Sequence, residues 1–180
     1  MILGEIDGKT LRFATKSDLQ HIDQITIICY QKIHESWVAH QGADIAEGLR
    51  TPGVSWEERK TKQNRDLFAE HPEWLWVLED DGVPIGFMSF KLLEDQKLGI
   101  IDNNGILPRH AGKGFGKFMY RHALQYMRRK GMRFVFLETG MDDPHIPARR
   151  AYEAVGFDRK FHGVYYWQNL EENKPESFPD

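Results

Sequence analysis

Residues Arg109-His110-Ala111-Gly112-Lys113-Gly114-Phe115-Gly116-Lys117 set three glycines at alternate positions, between an apolar run ending Ile106-Leu107-Pro108 and a helix-periodic one. The chemistry this spacing suits is anion binding. Glycine lets the backbone approach a ligand with its N–H groups turned inward, and a helix that starts there adds partial positive charge where phosphate oxygens would sit. Arg109, Lys113 and Lys117 add full charges nearby. The common nucleotide loops do not match. A Walker loop needs G-x-x-x-x-G-K-[ST], but Ala111 stands at its first glycine and Phe118 at its hydroxyl; a dinucleotide fingerprint needs G-x-G-x-x-G, against Gly112, Gly114 and Gly116 here. A plain turn from strand to helix would use the same glycines, so the ligand class needs a second landmark.

The elements around the cradle follow from periodicity and turn chemistry. Thr10 to Ala14 alternates as a strand, and Ser17-Asp18 offers a cap for a helix whose face is Leu19, Ile22, Ile25 and Cys29. Residues 31–52 read as irregular, after which Ser55 caps a helix to about Ala69. Trp74 to Glu79 and Val83 to Leu92 read as strands joined by Asp80-Asp81-Gly82, a pair that supplies the positive backbone angles of a tight hairpin. Leu98 to Leu107 is a further strand, interrupted by Asn103-Asn104-Gly105 in the manner of a bulge. Phe115, Phe118, Met119, His122, Tyr126 and Met127 keep helical spacing up to Arg128-Arg129-Lys130 and Gly131. Phe134 to Thr139 reads as a strand, Pro147 to Val155 as a helix, and the chain from Phe157 and from Val164 to Gln168 as two more strands. Together these give an α/β (α+β) fold: a central, mixed, mostly antiparallel sheet of six to seven strands with helices on both faces.

The second landmark lies about thirty residues beyond the cradle, where His145, Ala148, Tyr152, Gly156 and Phe157 follow in order. With this pair of motifs the sequence resembles the GNAT acetyltransferases, whose [QR]-x-x-G-x-[GA] after V-x-P matches Ile106-Leu107-Pro108 and Gly114-Phe115-Gly116, and whose N-x-x-A-x-x-x-Y-x-x-x-G-F matches the second set. Ala111 stands where the family usually has Gln or Arg, and His145 where it has Asn. The resemblance covers residues 74–168 well and residues 10–30 by order of elements.

The resemblance implies a GNAT-like sheet with a splayed strand pair, and acetyl-CoA as acyl donor. The pantetheine arm would add to the free edge at Asn104, Gly105 and Ile106, with the pyrophosphate over Ala111, Gly112, Lys113, Gly114, Phe115, Gly116 and Lys117, and further contacts from His145 and Ala148. A backbone N–H of Ile106 or its neighbour would hold the developing oxyanion. Tyr152 would protonate the departing thiolate, a plain core tyrosine being the alternative. An ammonium must lose a proton before it attacks, so Glu138 or Asp102 is expected to accept it. The implied activity is direct acetyl transfer to a primary amine, of a small molecule or a peptide N-terminus, entering over residues 30–56 with Trp37, His34, His40, Glu35 and Asp44. An acyl-CoA-binding sensor with little turnover is the other reading. A magnesium-dependent nucleotide-binding domain is a third, disfavoured by the two failed motifs.

The chain of 180 residues, with 41% apolar and 28% charged residues and a net charge of -3, fits one domain over 1–170 with a polar tail at 171–180. That charge predicts no nucleic-acid partner, and the short apolar runs predict no membrane span. Met1 to Gly8 carries acids where a signal peptide would be basic and then apolar, so a cytoplasmic protein is expected. Cys29 stands alone and reads as core, and the histidines lack ligand spacing, so no metal is expected. A homodimer is the family's usual alternative to a monomer.

Overall fold

The computed structural model of the protein describes residues 1–49 and 51–171. Six strands form one sheet in chain order: β1 (Ile2–Ile6), β2 (Lys9–Phe13), β3 (Leu75–Asp80), β4 (Val83–Leu93), β5 (Leu98–Ile106) and β6 (Phe134–Phe136). All neighbours are antiparallel except β5 and β6, which run parallel. The helices are α1 (Leu19–Gln41), α2 (Ala43–Gly48), α3 (Trp56–Glu70), α4 (Phe115–Arg129) and α5 (Ile146–Glu153). None of the described helices is long and apolar enough to cross a membrane.

Two hairpins share one turn chemistry. Asp81-Gly82 has φ of 47° and 80°, and Asp7-Gly8 has 47° and 72°, both residues left-handed as a two-residue hairpin demands. The second pair builds β1, a strand not expected from the sequence. At α3 the box is complete: Glu58 N–H donates to Ser55 Oγ (3.1 Å) and Ser55 N–H to Glu58 Oε2 (2.8 Å). At α1 the cap shifts upstream, with Thr15 N–H donating to Asp18 (2.7 Å) across a short 3-10 turn.

The sheet carries a core on each face. Leu75 and Val77 of β3 pack with Ile22, Ile25 and Phe87 beneath α1, while Trp76 and Leu78 pack with Phe90, Met119 and Met127 beneath α4. Alternation along β3 sends successive side chains to opposite cores.

Three expectations are corrected. Residues 31–52, expected to be irregular, are helical as far as Gly48: α1 continues to Gln41 and α2 follows, since nothing between Gln31 and Gln41 breaks a helix and Gly42 (φ 91°) ends it. That half of α1 is largely exposed, so it has no apolar stripe to read. The strand expected over Phe134 to Thr139 pairs only at its first three residues. The strands expected beyond Phe157 do not form among the described residues; Phe161, Val164, Tyr166 and Leu170 stand exposed there. Aromatic and β-branched composition describes a side chain suited to a pleat, and a ladder also needs a free edge alongside. The tail lies, from residue 172, outside the described residues.

Candidate active site

Below the cradle, β5 ends and the chain turns through Pro108–His110. Ala111 N–H donates to Pro108 C=O (3.1 Å), so it is committed within the turn. Gly112 (φ 77°) and Gly114 (φ 86°) are left-handed, a region open to glycine at little cost. Phe118 N–H is the first to bond back, to Gly114 C=O (3.0 Å), which leaves the N–H groups of Phe115, Gly116 and Lys117 as the open first turn of α4. The Phe115 side chain is in the core, so this residue offers the cradle its backbone alone. Lys113 and Lys117 are exposed beside it.

β5 pairs with β6 only from Leu98↔Phe134 to Ile100↔Phe136, and then the strands part. Leu107 N–H donates across to Ile85 C=O of β4 (2.9 Å). Successive peptides alternate, so the N–H groups of Ile106 and Asn104 face the opposite, unpaired edge. Tyr30 Oη, on α1, accepts the one from Asn104 (3.2 Å). Cys29 Sγ donates to Ile106 C=O (3.3 Å), and burial pushes its thiol up to about 11. α1 comes this close because residue 105 is glycine: a Cβ there would sit 2.9 Å from Cys29 Sγ. A cavity of about 20 Å³, room for one small group, lies between β4, β5 and α4 against Met88, Gly105, Ile106 and Met119.

Upstream of that edge is the expected bulge. Met88 faces Asn104 and Phe90 faces Ile101, so Asp102 and Asn103 together oppose Ser89. Ser89 Oγ accepts Asn103 N–H (2.9 Å) and donates to Asn103 C=O (3.1 Å). Beyond it Asn104 points toward α4 and α5. Tyr120 Oη donates to Asn104 Oδ1 (2.6 Å), while Asn104 Nδ2 donates to Tyr152 Oη (3.4 Å) and to Asp102 C=O (3.2 Å). The rings of Tyr120 and Tyr152 lie 4.9 Å apart, tilted at 51°, and both are buried. Burial, chiefly, holds the Tyr30 and Tyr120 phenols above their ordinary range.

A glycine turn with open N–H groups, an unpaired strand edge and a tyrosine beside that edge are thus built from consecutive elements. The family model described as "Acetyltransferase (GNAT) family" matches residues 40–157. The chain belongs to the GNAT family.

This GNAT chain is 28% identical over 146 residues to the mycothiol acetyltransferase of Thermomonospora curvata, covering 80% of this chain and 48% of that protein. It is 31% identical over 77 residues to the streptothricin acetyltransferase of Streptomyces lavendulae, covering 43% of this chain and 40% of that one. It therefore spans about half, or less, of the length of these curated relatives. A GNAT family acetyltransferase from Brucella melitensis, solved in complex with acetyl-CoA, superposes with a TM-score of 0.57 at 17% identity, covering 89% of this chain and 93% of that one.

The remaining expected residues of this GNAT site fall in two places. Glu138 is exposed beyond the parting of β5 and β6 and accepts a hydrogen bond from Tyr165 Oη (2.7 Å), whose ring lies 5.6 Å from Trp37 of α1. Asp102 is exposed and ion-paired with Lys91 (3.2 Å). His145 caps α5 with Nδ1 against Asp142 Oδ1 (2.5 Å), and Arg149 holds that loop by donating to Gly140 C=O (2.6 Å) and Asp142 C=O (3.0 Å). Burial acts to raise the Asp142 carboxyl, but hydrogen bonds from Ser36 and His145 outweigh it and hold the group below its usual range. Ala148 packs half-buried on the core one turn before Tyr152.

Sequence reading missed Tyr30, Tyr120 and Tyr165. Tyr120 carried a usable signal, standing one helical turn after Gly116 and so directly above the cradle. Tyr30 and Tyr165 carried none.

Proposed function

We propose that this GNAT domain is an acetyl-CoA-dependent N-acetyltransferase acting by direct transfer to a primary amine. The observation that carries this reading is the placement of Tyr152 Oη, 3.4 Å from Asn104 on the unpaired β5 edge that runs into the glycine cradle. The donor set fits the cofactor: the open N–H groups of Phe115 to Lys117 suit a pyrophosphate, Lys113 and Lys117 its charge, and the Ile106 N–H an amide or thioester carbonyl. When bound, acetyl-CoA supplies the activated acyl group. The protein's residues do the rest.

The amine nitrogen bonds to the acyl carbon as the carbon–sulfur bond breaks and its electron pair passes to sulfur. Ile106 N–H holds the oxygen as charge develops on it, an effect typically of a few kcal/mol. Tyr152 gives its phenolic proton to the sulfur, and Glu138 takes the proton that the amine sheds. Glu138 fits this better than Asp102, because it lies on the acceptor side with Trp37 and Tyr165. The acceptor is a small-molecule amine or a peptide N-terminus, and the protein acts in the cytoplasm, where acetyl-CoA is available to it.

Calorimetric titration tests the ligand class: micromolar binding of acetyl-CoA and CoA with none of ATP is expected. No binding of either acetyl-CoA or CoA would reduce Gly112 to Gly116 to a turn. Tyr152→Phe should lower kcat by about 100-fold, within the usual range for a general acid. The second reading, an acyl-CoA-binding module with little turnover, draws on the engagement of both acids, Glu138 by Tyr165 and Asp102 by Lys91. Binding without turnover over a broad amine panel would select it.

A further inference from the structure

We infer that Asn104 is a positioning residue that keeps the proton of Tyr152 free for donation, with Tyr120 and the β5 bulge fixing its orientation; this rests on the acetyltransferase reading above. The orientation of the Asn104 amide is settled by its neighbours. Asp102 C=O can only accept, so the amide end that meets it at 3.2 Å is Nδ2, and Oδ1 is the end that meets Tyr120 Oη at 2.6 Å. Both Nδ2 hydrogens are then assigned, one to Asp102 C=O and the other to Tyr152 Oη (3.4 Å). The proton of Tyr120 is committed to Oδ1.

A phenol has one hydrogen and two lone pairs. Because Tyr152 receives a hydrogen at its oxygen, its own hydrogen is the uncommitted one of the triad. With a sulfur anion in the cleft, that hydrogen turns to it. Once that proton has left, the Asn104 Nδ2 hydrogen faces a phenolate, and a hydrogen bond to a charged form favours that form. Asn104 thereby favours the donor before the step and its conjugate base after it.

The bulge makes this possible. The extra residue opposite Ser89 turns Asp102 C=O away from the β4 ladder and into reach of Asn104, and Tyr30 Oη secures the Asn104 backbone N–H (3.2 Å). Three elements, β5, α4 and α5, meet at one carboxamide, and α1 holds the backbone that carries it.

Asn104→Asp tests this at nearly constant volume. Its oxygen toward Tyr152 would accept the phenolic hydrogen instead of donating one, and so compete with the sulfur for it. The expected result is a kcat about 30-fold lower, part of the range open to general acid catalysis, with the calorimetric Kd for acetyl-CoA within about threefold of wild type. In the ligand-free protein at neutral pH, the carbon-13 NMR signal of the Tyr152 Cζ, assigned by its loss in Tyr152→Phe, should move. Unchanged kcat, an unmoved Cζ signal, or a Kd that rises in proportion to the fall in kcat would each overturn the role. Tyr120→Phe, which frees only the far end of the amide, should lower kcat by about threefold and move the same signal; an unmoved signal and unchanged kcat there overturn it too. If Tyr152→Phe itself turns over normally, the acetyltransferase role of Tyr152 fails and this one with it. If Tyr152→Phe is impaired while Asn104→Asp is not, Asn104 alone is excluded.

Discussion

Ser89 is one hydroxyl standing in for a peptide on each side. Its Oγ serves both the N–H and the C=O of Asn103, a residue 3% exposed. Ser89→Ala strands two buried backbone groups and should cost about 1–3 kcal/mol in denaturant unfolding. It should also lower kcat, because Asp102 C=O is aimed by the same bulge. Glu138 is the opposite case, an exposed carboxylate outside either core. Glu138→Gln should leave stability within about 0.5 kcal/mol of wild type. Its kcat at neutral pH should fall by about 10-fold or more if Glu138 takes the amine proton, and steady-state rates over amine concentration measure this directly.

Among elements, the joint between β2 and α1 rests on charge. Arg12 meets Asp18 at 2.7 Å and Glu79 at 2.7 Å, tying the first helix to the sheet at both strands. Burial acts to raise the Asp18 carboxyl, but the hydrogen bonds from Arg12 and Thr15 prevail and hold it at about 2, below its ordinary 3.8. A carboxyl depressed in the folded state stabilises the fold above its unfolded value and loses that contribution as pH falls through the folded one. The stability deficit of Asp18→Asn should therefore be full above about pH 4 and shrink toward pH 2, as followed by melting temperature across that window. The elements themselves were legible where the code is local. The Ser55 cap, the Asp81-Gly82 turn and the periodic α4 each depend on residues within a turn of one another, and each forms as read. The second half of α1 was illegible because it overhangs the sheet and buries no stripe.

For the whole molecule, the informative feature is how the chain closes. Among the described residues neither core contains one beyond Phe157, yet Tyr165 reaches Glu138 and Trp37, and Asn169 Nδ2 reaches Asp44 (2.7 Å). The last described stretch thus lies against Glu138, α1 and α2, the side over which we propose the amine enters, rather than in the core. Truncation after His162 should lower the melting temperature by no more than a few degrees while raising KM for the amine and leaving the Kd for acetyl-CoA unchanged. Calorimetry and steady-state kinetics on one preparation separate the two.

By itself the sequence determined the glycine turn, the helix it opens, the bulge and the family. Each is written in neighbouring residues, whose backbone preferences act over a few ångströms whatever the rest of the chain does. Only the tertiary structure decided that Tyr30, Tyr120 and Tyr152, which are 122 positions apart at the extremes, converge on Asn104, that Tyr165 holds Glu138, and that the strands expected beyond Phe157 do not form. These depend on which faces and edges distant segments present to one another, and periodicity within a segment carries no information about its partner.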